Sequence, residues 1–240
     1  MDEFLLLTEW GLEMKKVLGV ICVIALAGCA SVSTVTVPLD TVNALQGSHL
    51  RTITYKAPNF LATTAGKAVI GAVIGGLVGG MTNLVVAGIG GKQIIAENQI
   101  SDPALTIAAQ LSTFFADKLR AGGTVTTSGR DWSADSTQTL SKAVGKKGLV
   151  LDVKTLQWML GYFPTDWSHY KVTYEVRARL IHAETGKVIG QVPCTYLSDT
   201  ENIAPTYEQL IGNHAALLKD KLASAATTCT EFIKRNMLSS

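Results

Sequence analysis

The clearest alternation of apolar and polar positions in the chain lies between Tyr170 and Ile181. Tyr170, Val172, Tyr174, Val176, Ala178 and Leu180 interleave with Lys171, Thr173, Glu175, Arg177 and Arg179. A period of two puts the first set on one face of a strand and the second on the other, which predicts a half-buried antiparallel strand. Glu184-Thr185-Gly186-Lys187 turns the chain, with Gly186 suited to positive φ, and Val188 to Tyr196 returns as the hairpin partner. Upstream, His49 to Tyr55 alternates, Thr124 to Thr127 is short and β-rich, and Gly148 to Trp158 reads as a strand with an apolar start.

Helical spacing appears in three places. Leu105, Ala108, Leu111, Phe115 and Leu119 recur at intervals of three and four. Asp102 is placed to cap that helix, Pro103 suits its first position, and Gly122-Gly123 stops it. Ala134 to Val144 predicts a second helix ending near Gly145. Pro205 opens a last helix running to about Met237, with Leu218, Leu222, Ala225, Cys229 and Phe232 along its apolar face and His214 on the same inner side. Strands and helices in this order predict an α+β domain over 93–240, a mostly antiparallel sheet with helices packed on one side.

Two stretches fit no such period. Residues 67–92 bracket an uncharged run, Ala68 to Gly91, of 24 residues with eight glycines. Its length suffices to cross a bilayer, and Gly71, Gly75 and Gly79 would share one helical face, as small residues do where helices approach closely in lipid. In water, eight glycines would cost a helix about 8 kcal/mol relative to alanine. The run therefore meets lipid, packs on another copy, or is a glycine-rich loop or buried apolar hairpin. It resembles the glycine-zipper segments of several outer-membrane lipoproteins.

The other stretch is the N-terminus. From Met14, Lys15 and Lys16 precede an apolar run, Val17 to Ala27, too short to span a bilayer as a helix and of the length of a signal peptide. Leu26-Ala27-Gly28-Cys29 closely resembles the lipobox of bacterial lipoprotein precursors. That resemblance implies cleavage before Cys29, diacylglycerol on its thiol, and a mature chain beginning there. Residues 1–13 carry four acids and no base, opposite to a signal n-region, so translation is expected to start at Met14, with 14–28 the signal and 29–66 a tether and first strand. Ala30 after the cysteine favours the outer membrane by the family's sorting rule.

Loss of residues 1–28 removes two lysines and four acids, leaving 19 bases against 15 acids, a net charge of +4. With no dense basic block, nucleic acid is not an expected partner. Of four cysteines, Cys22 leaves with the signal and Cys29 is the lipid site. In an exported chain Cys194 and Cys229 are then expected to form a disulfide, the alternative being two separate buried thiols. No Cys or His lies at ligand spacing from either, so no metal is expected.

Catalytic motifs are missing: there is no G-x-S-x-G, H-E-x-x-H or C-x-x-C, and Lys147 stands where a phosphate-binding loop needs Ser or Thr. The densest candidate for binding is aromatic. Trp158, Tyr162, Phe163, Trp167 and Tyr170 fall within 13 residues of a chain that is only 7% aromatic. They read either as rings capping a sheet edge or as a loop that docks on a partner, an apolar ligand or a membrane interface. The sequence thus predicts a non-enzymatic envelope protein, anchored by acyl chains, without cofactor beyond the covalent lipid, that contacts other envelope proteins. The alternative is a component of a transport or secretion assembly, a homo-oligomer formed through Gly71, Gly75 and Gly79. The order of elements resembles small periplasmic lipoprotein domains such as that of the curli-secretion lipoprotein.

Overall fold

The structure, a computed structural model, describes residues 32–63, 90–130, 136, 137, 140 and 147–239. Cys29, Gly71, Gly75, Gly79 and nearly all of Ala134 to Val144 lie outside these residues. The strands are β1 (Leu50–Tyr55), β2 (Leu61–Ala62), β3 (Thr124–Arg130), β4 (Leu149–Tyr162), β5 (Tyr170–His182) and β6 (Lys187–Leu197). They form one mixed sheet in the order β3-β1-β4-β5-β6, with β2 alongside the far end of β4. The two long ladders, β4 with β5 and β5 with β6, are antiparallel. The shorter ladders of β1 with β3 and β4, and of β2 with β4, are parallel. The architecture is α+β with a mostly antiparallel sheet, and β1 is an interior strand of it.

Among the described residues four α-helices occur: α1 (Leu39–Ala44), α2 (90–97), α3 (Pro103–Lys118) and α4 (Tyr207–Met237). α3 and α4 pack against each other and on one face of the sheet. α3 starts where the sequence predicts: Asp102 accepts from the Ala104 N–H at 2.9 Å and Pro103 fills the first turn. Its buried face includes Ala104, Ile107, Ala108, Leu111 and Phe115, whereas Leu105, expected inside, is exposed. α4 opens on a capping box between Thr206 and Gln209.

α4 departs from the uninterrupted helix that its pattern predicts. Gly212 is extended, and Asn213, His214 and Ala215 follow with φ of 50°, 54° and 54°. Three successive non-glycine residues in the left-handed region are costly, about 1–2 kcal/mol each for residues with a Cβ. The break rotates the two parts of α4 relative to each other. Ala215 is fully buried and His214 exposed, so His214 is not on the inner face. Phe232 is likewise exposed, and its neighbour Ile233 takes the buried position. Cys229 is buried as expected and bonded to Cys194 on β6, with their Cα atoms 5.6 Å apart.

β5 carries the expected inner face: Tyr170, Val172, Tyr174, Val176, Ala178 and Leu180 are all buried. The outer face is not wholly polar and wet. Arg177 and Arg179 are only 7% and 5% exposed. The cause is Asp152 on β4, fully buried and paired in register with Arg179. Arg179 Nε donates to Asp152 Oδ2 at 2.5 Å, and the Arg177 guanidinium lies 4.0 Å away. Burial of a carboxylate demands such partners. Ile53, Tyr55, Val150, Ile181 and Leu140 form a second apolar cluster on this face.

The segment ahead of α1 is part of the fold. Val35 exchanges two backbone hydrogen bonds with Gln191 on β6, both 2.7 Å, and Val37 N–H donates to Met237 O at 2.8 Å. Gly190 permits this: a Cβ there would stand 2.6 Å from Val37 and 2.7 Å from the Met237 sulfur. Residues 33–39 therefore strap the outer edge of β6 to the end of α4.

Candidate functional site

The aromatic cluster is divided by position along β4 and by the turn that follows. Trp158 is 3% exposed, packs edge-on to Phe60 with ring centroids 5.2 Å apart, and donates from its indole N–H to Pro58 O at 2.7 Å. It is a core residue, and its expected part in partner binding is corrected: with its ring enclosed and its donor used, it offers nothing outward. Phe163 is also buried, with the Lys171 ammonium 4.9 Å from its ring centre. Tyr162 is half-buried. Its ring lies 6.2 Å from that of Trp167 and 6.3 Å from that of Tyr170, and Tyr170 in turn stands 5.6 Å from Tyr207 at the start of α4. A ladder of four rings thus runs from the loop after β4 to α4. Its outer member, Trp167, is 56% exposed.

Short-range polar contacts hold this loop. The Ser168 N–H donates to Asp166, and His169 Nδ1 bonds the other carboxylate oxygen of Asp166. These contacts, the Ser168 N–H foremost, hold the Asp166 carboxyl below its ordinary pKa. The Trp167 indole N–H donates to Pro164 O at 3.1 Å. The loop is also fastened to the segment between β6 and α4. Thr165 Oγ1 donates to Glu201 at 2.5 Å, His169 pairs with Thr206, and Tyr170 N–H donates to Pro205 O at 2.8 Å. That second segment holds the most exposed large apolar residue described, Ile203 at 75%, and follows Leu197, also exposed. Sequence reading missed Ile203 and Leu197, because isolated apolar residues in a loop carry no periodic signal.

The same end of the sheet receives both flanks of the glycine-rich run. Thr63 N–H donates to Leu160 O at 3.0 Å, and a Cβ on Gly91 would fall 1.7 Å from Phe60 O. Gly91 therefore lies against residues 60–62, next to Thr63, beside the last residues of β4.

Other polar groupings are structural. Asp102 Oδ1 accepts from Thr155 Oγ1 at 2.6 Å as well as from the α3 backbone, and the buried Tyr174 hydroxyl lies 3.4 Å away. Burial raises the Asp102 pKa above the ordinary carboxylate value, but its facing oxygen is occupied by capping. Among the described residues no group of three or more His, Cys, Asp or Glu is placed to hold a metal ion. No described helix is long and apolar enough to cross a membrane.

The fold is that of an α+β protein with a mixed sheet and two long helices on one face. No family model matches the chain and no curated relative matches its sequence. Among solved structures it is similar to a DUF330-family protein of Xanthomonas campestris (11% identical, 84% of this chain and 92% of that one, TM-score 0.33). It is also similar to the PelC dodecamer of Paraburkholderia phytofirmans (11%, 82% and 96%, TM-score 0.29) and to a lipoprotein of Neisseria meningitidis (13%, 72% and 99%, TM-score 0.25). Likeness at these identities and scores carries no inference about activity or partners.

Proposed function

We propose that the chain is a non-enzymatic envelope protein, anchored by acyl chains on Cys29 in the outer membrane, that presents its aromatic end to another envelope protein. The observation that carries this reading is the opposition of two ends. The strap at Val35 enters beside Gln191, on the rung of Arg179 and Asp152. Tyr162 and Tyr170 pair ten positions further along β4, about 30 Å away at the rise of a strand. Four peptide steps separate Cys29 from Ser33, a reach of at most about 14 Å. The strap runs antiparallel to β6, so its upstream end heads along the sheet toward the aromatic end, but the reach from Ser33 stops short of the rung of Tyr162 and Tyr170 and leaves Trp167 and Ile203 clear of an anchor at Cys29. Exposed aromatic and aliphatic side chains on a fastened loop suit a protein contact, with little ordering cost on binding.

The neighbouring positions of Thr63 and Gly91 favour a second reading, in which the glycine-rich run projects from this same end and joins copies of the chain through Gly71, Gly75 and Gly79. A single helical crossing of a core about 30 Å thick would set the flanks on opposite sides of the bilayer.

Fractionation of Cys29→Ser tests the anchor: it should leave the membrane fraction, and retention there with unchanged processing would overturn it. A photo-crosslinking residue at Trp167 or Ile203 in intact cells should trap a distinct envelope protein, whereas the same residue at Lys219 should not. Adducts with a second copy alone would favour the assembly reading, and none at either position would remove the docking end.

A further inference from the structure

The strap end carries a feature that anchoring does not by itself require. α1, the last turn of α3 and the last turns of α4 enclose an open groove of about 590 Å³. Its floor is apolar: Leu39, Phe114 and Leu238. Its rim is basic: Lys118, Lys234 and Arg235. Leu39 is 56% exposed although it opens a helix, and Phe114 is only partly buried. The Lys118 and Lys234 ammonium groups stand 5.9 and 5.7 Å from the centre of the Phe114 ring, so one ring holds both cations at the mouth of the groove. One acid lines it, Glu231, which bonds Lys234 at 2.8 Å. Two of the three positive charges are not offset by it.

Bases in the last turn of a helix complement the backbone dipole, which accounts for their sign. It does not account for an exposed apolar floor between them. A leaflet of anionic phospholipid matches both: headgroup phosphates meet the cations while the upper acyl region meets Leu39, Phe114 and Leu238. The length of chain between the groove and Cys29 keeps that occupant within reach. Val37 is bonded to Met237 and Ser239, directly beside Leu238, and Cys29 precedes it by eight residues. An anchored chain therefore keeps this groove within about 30 Å of the bilayer at full extension.

We infer that this groove docks on anionic phospholipid headgroups of the leaflet that holds the anchor, and so fixes the domain with its aromatic end outward. The orientation rests on the lipid-anchor reading; the lipid affinity of the groove does not.

The test uses the unlipidated Cys29→Ser chain, floated with phosphatidylcholine vesicles with or without phosphatidylglycerol. Binding is expected only with phosphatidylglycerol, and to fade as salt is raised. The variant K118Q/K234Q/R235Q should bind about 100-fold more weakly, at about 1 kcal/mol for each base. The variant K56Q/K92Q/K219Q loses the same charge from exposed sites elsewhere and should bind as the parent does. No binding to anionic vesicles, or equal losses in both variants, would overturn the inference. Absence of lipid on Cys29 in the native protein, read by mass spectrometry, would instead remove the anchor while leaving the vesicle result standing.

Discussion

Removal of the Cys194–Cys229 bond should lower stability by an amount calculable from the chain. The two residues are 35 apart in sequence. In the chain-entropy treatment, closing a loop of that length lowers the entropy of the unfolded ensemble by about 13 cal/mol/K, or about 4 kcal/mol at 25 °C. Both sulfur atoms are buried, one on β6 and the other on α4, so Cys194→Ala with Cys229→Ala adds a small cavity contribution of the same sign. The closed loop also contains the left-handed residues Asn213, His214 and Ala215. Opening it frees those residues to relax in the unfolded state only, because Ala215 stays packed in the folded one. With a urea dependence of about 2 kcal/mol per molar, the midpoint should fall by about 2 M. Urea melts followed by tryptophan emission measure this, since Trp158 is enclosed in the core and changes environment on unfolding. Oxidised wild type should have the highest midpoint, reduced wild type a midpoint about 2 M lower, and the double variant one slightly below that. Coincident midpoints for oxidised and reduced wild type would refute the reasoning.

Three more outcomes follow from local geometry. His214→Gly should stabilise by about 0.5–1 kcal/mol, the relief of a left-handed side chain less the entropy of glycine; a loss of about 1 kcal/mol in thermal melts would instead mean an ordinary right-handed turn there. Gly91→Ala should cost about 3 kcal/mol, because its methyl group would collide with the Phe60 carbonyl, and an unchanged melting temperature would show that Gly91 does not lie against Phe60. Asp102→Ala should cost about 1–2 kcal/mol through the lost cap, whereas Asp102→Asn keeps the cap and removes a buried charge. Since burial raises the Asp102 pKa in the folded state, wild-type stability should decline as pH rises from the unfolded carboxylate value through the folded one. The Asn variant should lack that decline, and parallel pH profiles for both chains would count against it.

What could be read from sequence was what short-range physics decides. The inner face of β5 followed from its alternation, the start of α3 from Asp102-Pro103, and the turn at Gly186, which has φ of 66°, from the need for a glycine there. What could not be read depended on partners far along the chain. Arg177 and Arg179 look like a solvated face until Asp152, on another strand, is placed beside them. The break in α4 has no proline to announce it, and a lone Gly212 is compatible with an intact helix. Val35 and Val37 look like tether because the strap they form is completed by Gln191 and Met237, about 150 and 200 positions later. The candidate site was legible in the same uneven way. A count of aromatics located the right end of the molecule, but which rings are enclosed is set by position along β4: Trp158 and Tyr162 share its inner face, opposite Tyr174 and Tyr170, and Phe60 covers Trp158 whereas Tyr162, at the strand's end, stays half-buried. Trp167 escapes that constraint because it follows the strand, on a loop tied down at Asp166 and at Glu201. Its exposure is thus a product of those two attachments, and Ile203 stands exposed on the partner segment because the same contacts hold that segment in place.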